Sequence, residues 1–379
     1  WDPDYWYDMK CFLDELSPED RLRSRQSSRM LTEDFPAEFT YAHKVGNRAV
    51  DFLQKFGGED FFLTVSYDEP HDPAICPPPY SKMYLDYCFP KSENVRDTLE
   101  NKPDYQKVWA GKSLGRDNDA LEIKAPFFFG CNSYVDEEIG RVIAAAEQYA
   151  PDAVIIYTSD HGDFLCSHGL YAKGPAAYDE ITRIPLIIRG KGLPAGVVDE
   201  SPVSHINLAP TIFELMGFPA PKVYEGQSIL SEVLDPSQRV NDYVFMEFGR
   251  YEVDHDGFGG FQPMRAVFDG RYKLSVNLMS TDELYDLETD PGEMVNLIDS
   301  AEHASVRDKL HDVLLEHMNE TRDPFRGYYW ECRPWRKDAS PATWDYTLMT
   351  RQREEDVYEE RQLDYSTGLP MEEATRRKG

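Results

Sequence analysis

Hydrophobic positions along the first two-thirds of the chain recur with two periods in alternation. In "AHKVGNRAVDFLQKF", Ala42, Val45, Ala49, Phe52, Leu53 and Phe56 share one face at helical spacing. Gly57 and Gly58 end that pattern, and "FFLTVSY" (Phe61 to Tyr67) follows as an apolar run of strand length. The helical period returns in "CNSYVDEEIGRVIAAAEQY", with Val135, Ile139, Val142, Ile143 and Ala146 inward and Asn132 or Ser133 placed as the cap. "DAVIIYTSD" and "RIPLIIRG" are continuous apolar runs, as expected of strands covered on both faces. This alternation predicts a layered α/β domain with a largely parallel sheet, spanning residues 1–235.

The pattern changes after about Leu234. "YVFMEF", "MRAVF" and "RYKLSVNL" read as short strands, with Asp269-Gly270 as the hairpin turn between the last two. "EHASVRDKLHDVLLEHM" closes with a helix that carries Val306, Leu310, Val313 and Leu314 on one face. Residues 236–325 therefore predict a small antiparallel sheet with one helix packed on it. Residues 326–379 alternate aromatic residues with charge and proline. They read as an extended tail that drapes over the body or a neighbouring subunit, and so as a route to a homo-oligomer.

Composition narrows the function classes. The 379 residues carry 69 acidic and 40 basic side chains, a formal net charge of −29. That field repels nucleic acid and anionic membrane surfaces, which need a basic footprint. No run of eighteen apolar residues spans a membrane. The six cysteines are scattered with no C-x-x-C pair, which speaks against a zinc knuckle or a dense disulfide scaffold. The opening stretch "WDPDYWYDMKCFLDELSPED" has no signal-like character and reads as the interior of a longer polypeptide.

Candidate chemistry gathers where strands end, the place where open α/β sheets bind ligands. "VSYDEPHDP" delivers Asp68, Glu69, His71 and Asp72, and "IIYTSDHGD" delivers Asp160, His161 and Asp163. His168 and Lys173 follow closely. A carboxylate beside an imidazole suits a divalent cation, and Gly162 allows a tight turn beside it. Plainer readings fit each residue alone. Asp-His-Gly can be a turn with a local hydrogen bond, His71 can pack against its flanking prolines, and Lys173 can cap a helix.

The motif order resembles the sulfatase family of the alkaline-phosphatase superfamily. The likeness is carried by "TSDHGD…SHGLYAKG…YDEITRIPLIIRG", "VSHINLAPTIFELMG", "RYKL…ELYDLETDPGEMVNL" and "YDEPHDP", over roughly residues 40–325. Within the family the chain is most similar to the bacterial YidJ type, through "GRYEVDHDGFGGFQP". The resemblance implies an alkaline-phosphatase-like layered sheet with helices on both faces, and a small C-terminal antiparallel sheet-and-helix domain. It also implies hydrolysis of sulfate esters, sugar sulfates by default, with one calcium ion and a formylglycine nucleophile. Asp160 and His161 match the C-terminal pair of metal ligands, His71 the histidine near the leaving-group oxygen, and Lys173 the sulfate-binding lysine. His168 matches a position beside the substrate. Asn207 stands where many relatives have Asp and serves equally well as a cap. Arg250 and His255, in the polar and aromatic loop 248–260, are candidates to bind a second anionic group of the substrate.

The nucleophile motif C-x-P-S/A-x-R, its upstream Asp-Asp pair and the Gly-Lys-x-His segment do not occur in the chain. Either an N-terminal sulfatase segment on a separate chain supplies them, or this chain alone is inactive. Two other functions share these residues: a phosphonate or phosphate ester hydrolase of the same superfamily, and a non-catalytic anion-binding protein.

Overall fold

The computed structural model describes residues 36–71, 74, 76–87, 92–113, 125–221, 224–250 and 261–342. Helix α1 (Tyr41–Phe56) starts at Thr40, whose side chain accepts the His43 N–H, and buries Ala42, Ala49 and Leu53. After α2 (Asp104–Ser113), the long helix α3 (Ala125–Tyr149) packs along α1. It begins a full two turns before the expected cap. Asn132 is a mid-helix residue that donates to the Phe128 carbonyl at 2.8 Å. The helix extends this far because Phe127 and Phe128 pack on the cluster around Cys76, Cys131 and Tyr134.

Strand β1 (Ile155–Thr158) pairs with β2 (Leu186–Arg189) in antiparallel register, Ile155 opposite Arg189 and Thr158 opposite Leu186. This corrects the expectation of a largely parallel sheet for the strands described. A parallel return needs a crossover helix. Residues 159–185 instead fold as turns, a 3-10 turn at Ser167–Gly169 and one α-helical turn, Asp179–Thr182. Phe61–Tyr67 is extended and alternates between half-buried and exposed positions, yet joins no ladder among the described residues. Phe61 and Leu63 share one apolar cluster with Ala153, Ile155, Ala145 and Ala146. The stretch therefore starts beside β1 over the C-terminal half of α3, and Tyr67 ends it near Tyr134 and Val135.

Strands β3 (Val244–Arg250), β4 (Phe261–Phe268), β5 (Tyr272–Asn277) and β6 (Glu283–Asp286) form an antiparallel sheet in that order. The two faces have opposite chemistry, as a period of two requires. Val267, Leu274, Val276 and Leu284 meet Leu310, Leu314, Leu315 and Met318 of helix α4 (Ala304–Glu320). The other face carries Lys273, Ser275, Asn277, Glu283 and Tyr285, all buried against the first part of the chain. Tyr178 donates to Glu283 at 2.9 Å, and Lys273 bonds Asp179 at 2.7 Å.

The expected tail boundary at residue 326 also moves. Trp330 is buried in the same core as α4, with Trp335 and Ala339 packed on it. Residues 326–342 thus complete the small domain, and 343–379 lie outside the described residues. No helix among those described is long and apolar enough to cross a membrane.

Candidate active site

The end of β1 is built as a chain of local hydrogen bonds. Ser159 Oγ donates to the His161 carbonyl at 2.9 Å, and His205 Nε2 lies 2.8 Å from the Ser159 carbonyl. The Gly162 N–H donates to the Ile181 carbonyl at 3.0 Å. A Cβ on Gly162 would lie 1.8 Å from the Glu180 carbonyl oxygen, so the turn requires glycine by close approach. Phe164 N–H donates to the Ala172 carbonyl at 3.0 Å, folding the following ten residues back so that Lys173 returns to His161.

Three functional groups meet there. Asp160 Oδ1 accepts the His161 N–H at 2.8 Å, and its Oδ2 is 3.4 Å from His161 Nε2. His161 Nδ1 is 2.8 Å from the Gly162 carbonyl, which fixes the proton on Nδ1 and makes Nε2 an acceptor. Lys173 Nζ sits 2.9 Å from Nε2 and donates to it. Partial burial pushes the Asp160 carboxyl up, but the His161 N–H and the nearby positive charge outweigh it and hold the group below its ordinary value. Asp163 Oδ1 accepts the Leu165 N–H at 2.8 Å and serves the turn.

A carboxylate oxygen and an imidazole nitrogen side by side fit a divalent cation, which would take the Nε2 lone pair in place of the Lys173 ammonium that meets it here. They make two ligands. Among the described residues no three His, Cys, Asp or Glu side chains gather to hold a metal. The fit is to half of a site.

His71 is exposed on the loop that ends the 61–67 stretch, its N–H donating to the Asp68 carbonyl at 3.0 Å. Glu69 anchors this loop to the start of α1 by accepting the Ala42 N–H at 3.0 Å. His168 is the candidate for a position beside the substrate. It is fully buried, with both ring nitrogens facing protein groups, so it offers no free nitrogen to a substrate. The backbone of Arg250 pairs with Phe261 at the stem of the 251–260 loop. His255 lies outside the described residues. Sequence reasoning missed Asn94, Asp97, Lys102, Glu180 and His205, which support the turn. "SENVRDTLENKP" gives no spacing that marks it, since Asn94 and Asp97 meet His168 across more than seventy positions.

Comparison with known proteins decides the family. The sulfatase family model matches residues 4–218, and a model described as N-sulphoglucosamine sulphohydrolase, C-terminal, matches residues 166–320. The chain belongs to the sulfatase family. It is 44% identical over 380 residues to the uncharacterized sulfatase YidJ of Escherichia coli (strain K12), covering 98% of this chain and 74% of that protein. Other curated sulfatase-family relatives are spanned for only about half of their length. Among solved structures, a phosphonate monoester hydrolase from Silicibacter pomeroyi matches with a TM-score of 0.65 and 25% identity, covering 75% of this chain and 61% of that one. A protein solved in complex with its substrate D-glucosamine-2-N,6-O-disulfate matches with a TM-score of 0.64 and 20% identity, over 78% and 71% of the two chains. These neighbours share the alkaline-phosphatase-like fold of sulfatases, here with the small antiparallel sheet and helix at the C-terminal side.

Proposed function

We propose that this chain is the larger part of a calcium-dependent sulfatase that hydrolyses sugar sulfates. One observation carries the reading: a carboxylate, an imidazole of fixed tautomer and an ammonium meet at the end of β1, with N–O and N–N separations of 3.4 Å and 2.9 Å. Asp160 and His161 would hold calcium, which when bound polarises the sulfate oxygens. The remaining ligands and the formylglycine nucleophile are assigned to a sulfatase segment outside this chain, on the same or a separate polypeptide.

Lys173 neutralises charge that develops on the sulfuryl oxygens. His71 supplies a proton to the departing alkoxide oxygen, a task suited to an imidazole near neutral pH. Both 61–67 and β1 start over the same patch of α3, which supports the convergence of their far ends on one cleft. Arg250, at the end of β3, and His255, in the segment that follows it, are assigned to a second anionic group of the sugar.

The test uses the full-length protein and a panel of sulfate esters. Chelation is expected to abolish hydrolysis and added calcium to restore it. His71→Ala is expected to slow alkyl sugar sulfates by about 10²-fold or more, and activated aryl sulfates much less. Equal losses on both substrate types would remove the proton-donor role. The phosphonate monoester hydrolase among the structural neighbours favours a second reading. Turnover of a phenyl phosphonate monoester above that of any sulfate ester would establish it.

A further inference from the structure

Between Asp163 and Lys173 the backbone is left-handed at four residues other than glycine: Leu165 (φ 42°), Cys166 (76°), His168 (55°) and Ala172 (56°). Each such conformation costs about 1–3 kcal/mol and persists only where its surroundings enforce it. The enforcing contacts are at the tip. His168 has no solvent exposure and its ring stacks on Tyr178 with centroids 3.9 Å apart. Nδ1 is 2.6 Å from Asp97 Oδ2, and Nε2 is 3.3 Å from Asn94 Nδ2. Asn94 also donates to Glu180 Oε1 at 2.6 Å. This pattern puts the ring proton on Nδ1, donated to Asp97, and lets Nε2 accept from Asn94.

Asp97 is itself secured. Lys102 Nζ lies 2.5 Å from Asp97 Oδ2 and donates to the Glu293 carbonyl at 2.6 Å, which ties the pair to the small domain. Burial alone would push the Asp97 carboxyl up, but its bond to His168 and the charge of Lys102 hold it below its ordinary value. The base of the turn is closed by Phe164 and Ala172, and the next residue is Lys173.

We propose that His168 is a positioning residue for Lys173: the Asp97–His168 pair clamps the tip of the strained turn and so sets where the Lys173 ammonium stands against His161. The proposal rests on the reading of Lys173 as the sulfate-binding group and extends that site to two buried residues that touch no substrate. It replaces the substrate contact expected of His168 with an action through the backbone.

Two measurements on the full-length protein separate this from the functional reading. The first is pulse acetylation with acetic anhydride, read by peptide mass spectrometry. Lys191, on the surface beside Asp152, serves as the internal control. In His168→Gln and Asp97→Asn, Lys173 is expected to acetylate severalfold faster than in the wild type, with Lys191 unchanged. The second is the affinity for inorganic sulfate by calorimetry, expected to weaken about tenfold as a charge-assisted contact is misplaced. Folded variants in which Lys173 acetylates at the wild-type rate overturn the proposal. If no form binds sulfate while Lys173 still changes rate, the positioning role stands and the sulfatase reading fails. Should His168→Gln not fold, Asp97→Asn, which keeps the side-chain volume, decides alone.

Discussion

At the scale of single residues, the site depends on close approach more than on charge. Gly162 lies so near Glu180 that the two backbones could not both stay in place around a methyl group. Gly174 faces the Trp109 ring in the same way, where a Cβ would come within 2.4 Å. Gly162→Ala is therefore expected to destabilise the protein by about 1–3 kcal/mol, the usual cost of overpacking. The same substitution should speed proteolytic cleavage between residues 160 and 182. Thermal unfolding at the wild-type temperature, with an unchanged cleavage pattern, would show that the turn can shift off Glu180 at little cost. Asp160, His161 and Lys173, which meet at the end of β1, are marked locally in the sequence by a strand end and a short motif. Asp97 and Asn94 are not, because what gives them a role is a contact across the fold with His168, and a contact leaves no mark on nearby spacing.

At the scale of elements, the informative feature is the second face of the small sheet. Helix periods and hairpin signals were sufficient for α1, α4 and the β4–β5 hairpin. They could not show that Lys273, Glu283 and Tyr285 are inside, since polar residues at alternate positions ordinarily mean solvent. Lys273 is buried between Asp179 at 2.7 Å and Glu293 at 2.9 Å. Burial pushes the Glu293 carboxyl up to about 7, against the opposing pull of Lys273. In the unfolded chain this group ionises near its ordinary value of about 4.3. Unfolding therefore releases a proton between those two values. The stability that Glu293 contributes is full below the lower value and lost as pH rises through about 7. Denaturant titrations at pH 5 and pH 8 should show the wild type losing up to about 3 kcal/mol from this group. Glu293→Gln should flatten that difference. An identical pH dependence in the two proteins would mean that the carboxyl is ionised throughout.

At the scale of the whole molecule, the segment after α4 closes the small domain, and a buried ion pair secures it. Asp282 is almost wholly buried and accepts from Arg333 at 2.8 and 2.9 Å and from Trp335 at 2.8 Å. Burial pushes its carboxyl up in spite of these donors. Arg333→Met leaves that carboxyl without its cation and is expected to cost about 3–5 kcal/mol in chemical denaturation. A loss below about 1 kcal/mol would instead mark the pair as a surface-like contact and detach residues 326–342 from the core. The aromatic and charged composition of this stretch suggested an extended tail. Trp330 is a core residue and Trp335 packs on that core, while Tyr328 and Tyr329 are exposed, a distinction that composition alone cannot make.

The polar seam between the sheet and the first part of the chain also bears on how such proteins can recombine. An apolar interface tolerates a changed partner by repacking, whereas Tyr178, Gln106, Glu283, Tyr285 and Asn277 share one set of donors and acceptors across the seam. A crossover near residue 236 between this chain and a distant relative would splice together two halves of different hydrogen-bond lattices, each with buried groups left unanswered. Inheritance of the two parts is thereby linked: the small domain travels intact only with the residues around 102–106 and 178–180 that complete its inner face.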